Sequence, residues 1–283
     1  MSQPSAGPST RGFHRLALFA TCPQKFAYHQ LLRLEPIAPR PQLALGSLIH
    51  IALMYHYLRQ LGRSDLDPIE MLKKAPPRFA SHVQPAVEIY KAYVEHRPHE
   101  DSRRWTILDV EREFEITIAG ELYTQRVDLV VLESNSVVFV DHKSTAGSLK
   151  TLSPEWSMSG QFAGYQVIGK ALAEQVYGRP FGGVAVNVVG TTAPYETKIH
   201  KLEVRTEIER HFLGAARQTQ LEITRSEKLD PLDYEKRGLV SGACMGRYGV
   251  CEYEPLCKYG RGALVEFQNS IDDATFVAQG SGA

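Results

Sequence analysis

Apolar residues along the chain follow two periods. Over residues 13–34 and 43–61 they recur every three to four positions, the spacing of a helix with one buried face, so two N-terminal helices are predicted. Pro23 stands where a first-turn proline is tolerated, and the prolines between 36 and 41 separate the two helices. Residues 62–104 mix prolines, charges and a weaker helical pattern over 86–96, which predicts a helical insertion. Beyond Arg104 the period shortens to two. Residues 106–118, 121–133 and 137–143 then read as three strands of an antiparallel meander, joined at Ala119-Gly120 and at a turn around Ser134-Asn135. A helix over 159–177, strands over 183–189 and 196–204, and a helix over 206–224 complete the pattern. The expected fold is α/β, a mixed central β-sheet flanked by helices, with no internal repeat.

The length of 283 residues suits one large domain or two modest ones. With 43% hydrophobic and 23% charged residues the composition is that of a folded globular protein, outside the disordered and fibrous classes. The 32 basic and 32 acidic residues cancel, so no overall field collects nucleic acid and any such contact must be local. The start lacks a basic stretch leading into an apolar one, and nowhere do about 18 apolar residues run together. A cytoplasmic protein with no membrane partner is expected. The first ten residues and the last dozen, rich in Gly, Ser and Pro or ending in Gly-Ser-Gly-Ala, are expected to fray.

A two-residue turn at Ser134-Asn135 sets residues whose numbers sum to 269 opposite each other, so Asp128 faces Asp141. Strand alternation puts Lys143 on the same face as Asp141. Opposed carboxylates destabilise a sheet unless neutralised, and a hard divalent cation such as Mg2+ or Mn2+ does this well. The plain alternative is a pair of solvated acids, or acids paired with Lys143 and Arg126. Asp141 follows the apolar run Val137-Val138-Phe139-Val140, which places it at the end of an interior strand. His50, on an apolar helix, reads by itself as a satisfied core residue rather than a ligand.

Four short segments, GSLIH at 46–50, QRVDLVV at 125–131, VDHKS at 140–144 and QFAGY at 161–165, resemble in order and spacing the successive motifs of RecB-like nucleases of the PD-(D/E)xK superfamily. The resemblance implies a restriction-endonuclease-like αβββαβ core and a DNA-cleaving hydrolase. It implies that His50, Asp128 and Asp141 ligate the catalytic metal and that the carbonyl of His142 joins them. It further implies that Lys143 assists the water nucleophile while Gln161 and Tyr165 hold the site and the DNA strand. Two departures are Val127 in place of proline before the first acid, and His142 between acid and lysine where an aromatic residue is frequent.

The four cysteines stand at 22, 244, 251 and 257, three of them within fourteen residues. Disulfides are disfavoured in a cytoplasmic protein, so a four-thiolate set reads as a metal or cluster site. Six residues separate Cys244 from Cys251 and five separate Cys251 from Cys257, so the paired Cys-x-x-Cys knuckles of zinc sites are missing and a structural zinc site ranks second. One early Cys in TCPQKFAYH with three late ones resembles the iron-sulfur arrangement of AddB-type and CRISPR-adaptation nucleases. That implies a structural 4Fe-4S cluster on Cys22, Cys244, Cys251 and Cys257, clamping the N- and C-terminal regions together.

Arg11, Arg15 and Lys25, interleaved with aromatic residues including Tyr28, suit a groove that tracks single-stranded DNA or DNA ends, and equally an amphipathic helix with solvated charges. No Gly-x-x-x-x-Gly-Lys-Ser/Thr loop is present, so unwinding would need a helicase or a recombination or repair partner. The chain then divides into a disordered terminus (1–10), N-terminal helices (11–61), the insertion (62–104), the nuclease core (105–225), a cysteine-rich cluster region (226–262) and a tail (263–283). The expected activity is an exonuclease on single-stranded DNA or DNA ends. The competing readings are a catalytically silent DNA-binding or assembly subunit of the same fold and a hydrolase of other phosphate esters.

Overall fold

Three long strands, β2 (Thr106–Ile118), β3 (Glu121–Glu133) and β4 (Ser136–Thr145), form an antiparallel meander that β5 (Phe181–Gly190) extends in parallel and β6 (Thr197–Leu202) closes antiparallel. The sheet order is β2-β3-β4-β5-β6. The structure, a computed structural model, describes residues 11–37, 41–96, 105–118, 120–149, 154–246 and 249–269. The expected frayed ends at 1–10 and 270–283, residues 97–104 of the insertion and Ala119 of the first turn lie outside the described residues.

The β3–β4 turn has Ser134 at φ 48° and Asn135 at φ 70°, the paired left-handed conformations that match the twist of a tight hairpin. It fixes the expected register, from Glu133↔Ser136 to Leu129↔Val140.

The predicted N-terminal helix is broken. Helix α1 (Phe13–Thr21) stops at Cys22, whose extended backbone (φ −160°, ψ 107°) is what a following proline demands, and Pro23 opens the short α2 (Pro23–Phe26). A π-helical turn and β1 (Leu34–Pro36) follow, then the long α3 (Pro41–Gln60). The insertion folds as α4 (Pro68–Lys73), capped by Asp67, and α5 (Ala80–His96). Beyond the meander lie α6 (Pro154–Ser157), α7 (Gly160–Tyr177) and α8 (Thr206–Ser226). The Ser159 hydroxyl caps α7, and Gly178 ends it in the left-handed conformation.

The sheet is buried on both faces. Against one pack Phe19, Phe162, Ile168 and Phe212 from α1, α7 and α8; against the other pack Ile49, Leu53, Tyr57 and Tyr93 from α3 and α5. In β4 the assignment alternates as a regular strand must, with Val137 and Phe139 on the α7 side and Val138 and Val140 on the α3 side. In β3 it does not: Val127 belongs to the α7 side and Leu129 to the α3 side, although residues two apart normally share a face. Opposite this step, between the pairs Val110↔Leu129 and Arg112↔Val127, Glu111 adopts φ 51°. The irregularity in β2 and the step in β3 occur at one level of the sheet.

The terminal regions are held together by ordinary contacts. Phe267–Asn269, within the expected tail, forms β7 and pairs with β1. The Tyr253 hydroxyl donates to the Leu34 carbonyl at 2.7 Å, Tyr253 packs on Tyr28 and Lys25 pairs with Glu252 at 2.8 Å. The Gln24 side chain donates to the Pro231 carbonyl.

The expected 4Fe-4S cluster, and the structural zinc site kept as its alternative, are overturned. Cys22, Cys244, Cys251 and Cys257 are free thiols, ranging from buried (Cys22) to exposed (Cys257). Among the described residues no group of three or more His, Cys, Asp or Glu is placed to hold a metal ion. Residues 226–262 are therefore a region of short helices and turns joined to the N-terminal segment, not a cluster domain.

Candidate functional site

The β3–β4 ladder ends at Leu129↔Val140, and just past it the two strands part. The amide of His142 donates instead to Asp128 Oδ2 at 2.8 Å, so a side chain takes over where the ladder stops. Asp141 lies in the same gap, 1% exposed. Its Oδ1 accepts hydrogen bonds from Gln161 Nε2 at 2.7 Å and from the Tyr165 hydroxyl at 3.2 Å, both from α7. Tyr165 also reaches the Arg126 carbonyl at 2.9 Å, tying the helix to β3.

Lys143 Nζ stands 2.7 Å from Asp141 Oδ2 and donates to Gln161 Oε1 at 3.1 Å. The first contact is an ion pair without hydrogen-bond alignment, for no donor is correctly directed at that buried oxygen. From the other side α3 brings His50, whose Nδ1 lies 3.4 Å from Asp128 Oδ2. His50, Asp128, Asp141, Lys143, Gln161 and Tyr165, spread over 116 positions of sequence (50 to 165, ends included), thus meet where the strands separate.

Electrostatics follow from crowding acids in a dry gap. Burial, then the neighbouring Asp141, push the Asp128 pKa up to about 6, against the opposing pull of His50, Lys143 and the His142 amide. For Lys143 burial disfavours the ammonium, but Asp141 and Asp128 outweigh it and raise its pKa, so it stays charged at neutral pH. Glu111, half-buried on β2, is pushed well above the usual carboxylate range by burial and then by Asp128, with Asp141 adding to the effect.

His142 presents its backbone amide to Asp128 and its ring to the α3 side, where it meets the His50 ring edge-on with centroids 6.2 Å apart. The ring stacks on Tyr57 with centroids 5.6 Å apart and planes 4° from parallel, and its Nδ1 lies 2.8 Å from Asn187 Nδ2. Three of the residues singled out for DNA contact are engaged within the fold. Arg15 bonds Gln220 and covers Phe26, Lys25 pairs with Glu252, and Tyr28 is buried against Tyr253. Arg11 is exposed. Among the described residues no contact brings any of the four to the acidic gap.

The donor set suits a hard divalent cation in kind and charge: carboxylate oxygens, one imidazole and a buried Asp141 oxygen that lacks a hydrogen bond. As they stand, with Lys143 supplying the counter-charge, no three of these groups are drawn together to coordination distance.

The profile of the PD-(D/E)XK nuclease superfamily matches residues 13–258. No curated protein matches the chain. Among solved structures, a provisionally assigned exonuclease from Eubacterium rectale superposes with a TM-score of 0.50 at 13% identity, covering 81% of this chain and 86% of its own, a likeness of fold. SSO0001 aligns at 10% identity over 62% of this chain and 73% of its own, with a TM-score of 0.28 that carries no argument. The narrower expectation of a RecB-like branch of AddB or CRISPR-adaptation type leaned on the iron-sulfur cluster, and without a metal-holding group among the described residues it gives way to the superfamily alone. With the match running through both flanking helices and the whole sheet, the chain belongs to the PD-(D/E)XK nuclease superfamily.

Proposed function

We propose that the protein is a divalent-metal-dependent deoxyribonuclease, an exonuclease hydrolysing phosphodiester bonds in single-stranded DNA or at DNA ends. The observation that carries this is Lys143 beside Asp141 and Asp128 in the gap between β3 and β4, a positive charge and two acids where a phosphate could enter. Asp128, Asp141 and His50 would hold Mg2+ or Mn2+. Such a cation supplies neutralisation of charge on the phosphoryl oxygens and acidifies water. Gln161 and Tyr165 fix Asp141 through Oδ1 and leave Oδ2 for the ligand. Lys143 keeps its proton and offers a second positive charge to the phosphate as water attacks and the P–O bond breaks.

Among the described residues no helix is long and apolar enough to cross a membrane, which fits a cytoplasmic role. Arg11, just ahead of α1, is an exposed cation for strand contact. Duplex unwinding would fall to a helicase or repair partner.

The test is degradation of labelled single-stranded DNA with Mg2+ or Mn2+ by the wild type, Asp141→Ala and Lys143→Ala. Loss of activity in both variants supports the proposal, whereas activity that survives Asp141→Ala sinks it. The second reading, a catalytically silent DNA-binding subunit, draws on the absence of a pre-assembled ligand trio among the described residues. It predicts DNA retention without cleavage under either metal.

A further inference from the structure

The function above gives no task to Phe162, the residue that follows Gln161 in the first turn of α7. We propose that Phe162 is a positioning residue for Lys143, its ring face holding the ammonium beside Asp141 for the reaction; the proposal rests on the nuclease reading above.

The start of α7 is set down tightly. The Ser159 hydroxyl accepts from the Gln161 amide at 3.3 Å, and the helix begins so close to α1 that a Cβ built on Gly160 would run into the Phe13 ring. The next two residues both meet Lys143. Gln161 does so through Oε1 at 3.1 Å, and Phe162 through its ring, with Lys143 Nζ over the face and 5.7 Å from the centroid. The same ring meets Tyr165 edge-on, with centroids 6.0 Å apart and planes at 74°. Phe162, 1% exposed, therefore touches both Lys143 and Tyr165, each of which is a partner of Asp141.

A core position asks only for bulk, which leucine would supply. An aliphatic side chain would give the ammonium nothing, however, and a charge in a gap poor in water is costly without partners. An aromatic face carries the negative part of the ring quadrupole and attracts a cation within about 6 Å of its centroid, more strongly as water is excluded. Lys143 stands at that distance with two thirds of its side chain out of solvent. Its four-carbon stem is flexible, so the ammonium stays in place only if several contacts agree. One of them is the ion pair with Asp141 Oδ2, the oxygen assigned above to the cation. The contacts with Gln161 Oε1 and with the ring face do not draw on that oxygen. Of these two the ring is the one that no hydrogen bond can pull away, since it offers neither donor nor acceptor to Asp141 or to water.

The experiment replaces Phe162 by phenylalanine analogues carrying one, two or three ring fluorines, which drain the negative face while nearly keeping the shape of the ring. Wild type and Phe162→Leu are measured beside them. Two quantities are read on the full chain: kcat and KM for degradation of labelled single-stranded DNA with Mg2+, and the proton resonances of the Lys143 ε-methylene without metal. Those resonances are expected upfield of an ordinary lysine in the wild type, because they lie over a ring face, and at the ordinary position in Phe162→Leu. Each added fluorine should lower kcat, by about tenfold over the series, while KM and the melting temperature hold. A kcat that stays flat along the series, or ordinary ε-methylene resonances in the wild type, confines Phe162 to the core and overturns the proposal. Should Phe162→Leu misfold, the fluorinated proteins, which keep the packing, decide. A wild type with shifted resonances that leaves the DNA uncut sinks the nuclease reading alone, and the hold of the ring on the ammonium stands.

Discussion

The ammonium of Lys143 lies 2.7 Å from Asp141 Oδ2, on an oxygen that receives no aligned hydrogen bond. Lys143 is thus the counter-charge beside a carboxylate that is 1% exposed. Breaking a buried pair by deleting one partner costs several kcal/mol, less here because a third of the Lys143 side chain meets solvent. Lys143→Ala should destabilise the metal-free protein by about 1–3 kcal/mol in chemical denaturation, and millimolar Mn2+ should return most of that loss. Equal destabilisation with and without Mn2+ would contradict a cation at this carboxylate.

Asp128 gives stability a distinctive pH dependence. Its folded pKa, about 6, lies above the ordinary value of 3.8. The folded state therefore binds this proton more tightly than the unfolded one, and the stabilisation is complete below about pH 4 and lost as pH rises through 6. The shift corresponds to about 3 kcal/mol between pH 4 and 7 in the absence of metal. Asp128→Asn, which keeps an acceptor for the His142 amide, should lack this fall. The check is the difference in unfolding free energy between variant and wild type against pH; a flat difference would refute the assignment. Metal competes with the same proton, so Mn2+ affinity should climb over the same window.

Helix α7 can deliver Gln161 and Tyr165 to Asp141 only because it runs close to β3. A Cβ built on Gly164 would stand 2.5 Å from both Gln125 Oε1 and the Tyr123 hydroxyl oxygen. These atoms cannot yield cheaply: Tyr123 and Gln125 are buried and hydrogen-bonded to each other, and Gln125 Nε2 donates to the Gln161 carbonyl. Alanine improves helix propensity by about 1 kcal/mol, while overpacking costs about 1–3 kcal/mol. Gly164→Ala should therefore lower stability on balance and cut nuclease activity more than stability, since the displaced helix carries two hydrogen bonds to Asp141. An unchanged melting temperature with full activity would show that the helix has room to spare.

Much of this site was legible because a tight turn fixes register. Ser134-Asn135 sets Asp128 and Asp141 level, and strand parity alone puts Lys143 with Asp141 and turns His142 away. The same arithmetic applied at Gly120 makes pairs sum to 239, as in Ile118↔Glu121, and would have set Glu111 level with Asp128. It could not have shown the φ of 51°, because nothing in the residue type Glu announces a left-handed backbone. The break at Cys22 was misjudged for a local reason: Pro23 opens a helix well but also forces its predecessor to be extended, so one predicted helix became two. The cysteines misled because four thiols in a pattern do not by themselves make a metal site, and among the described residues no such group is placed to hold an ion. Lys25–Glu252, Tyr28–Tyr253 and the β1–β7 pairing join the terminal regions through partners too distant in sequence for any local period to reveal.

Asn187 sits directly across the β4–β5 ladder from His142 and is fully buried. Its side-chain nitrogen is 2.8 Å from His142 Nδ1 and 3.0 Å from the Tyr93 hydroxyl, which itself contacts the Tyr57 hydroxyl. With Asn187 donating, Nδ1 is the acceptor and the ring proton resides on Nε2. Because the His142 amide holds Asp128, this network sets the position of that acid. Asn187→Ala leaves buried acceptors without their donor and should cost about 2 kcal/mol of stability. Packing loss alone would leave the Asp128 titration where it is. Slackened positioning would instead move it, by weakening the His142 amide contact that opposes the rise in pKa, so the Asp128 carboxyl carbon resonance should titrate at higher pH in the variant. An unshifted titration alongside the stability loss would confine Asn187 to the core.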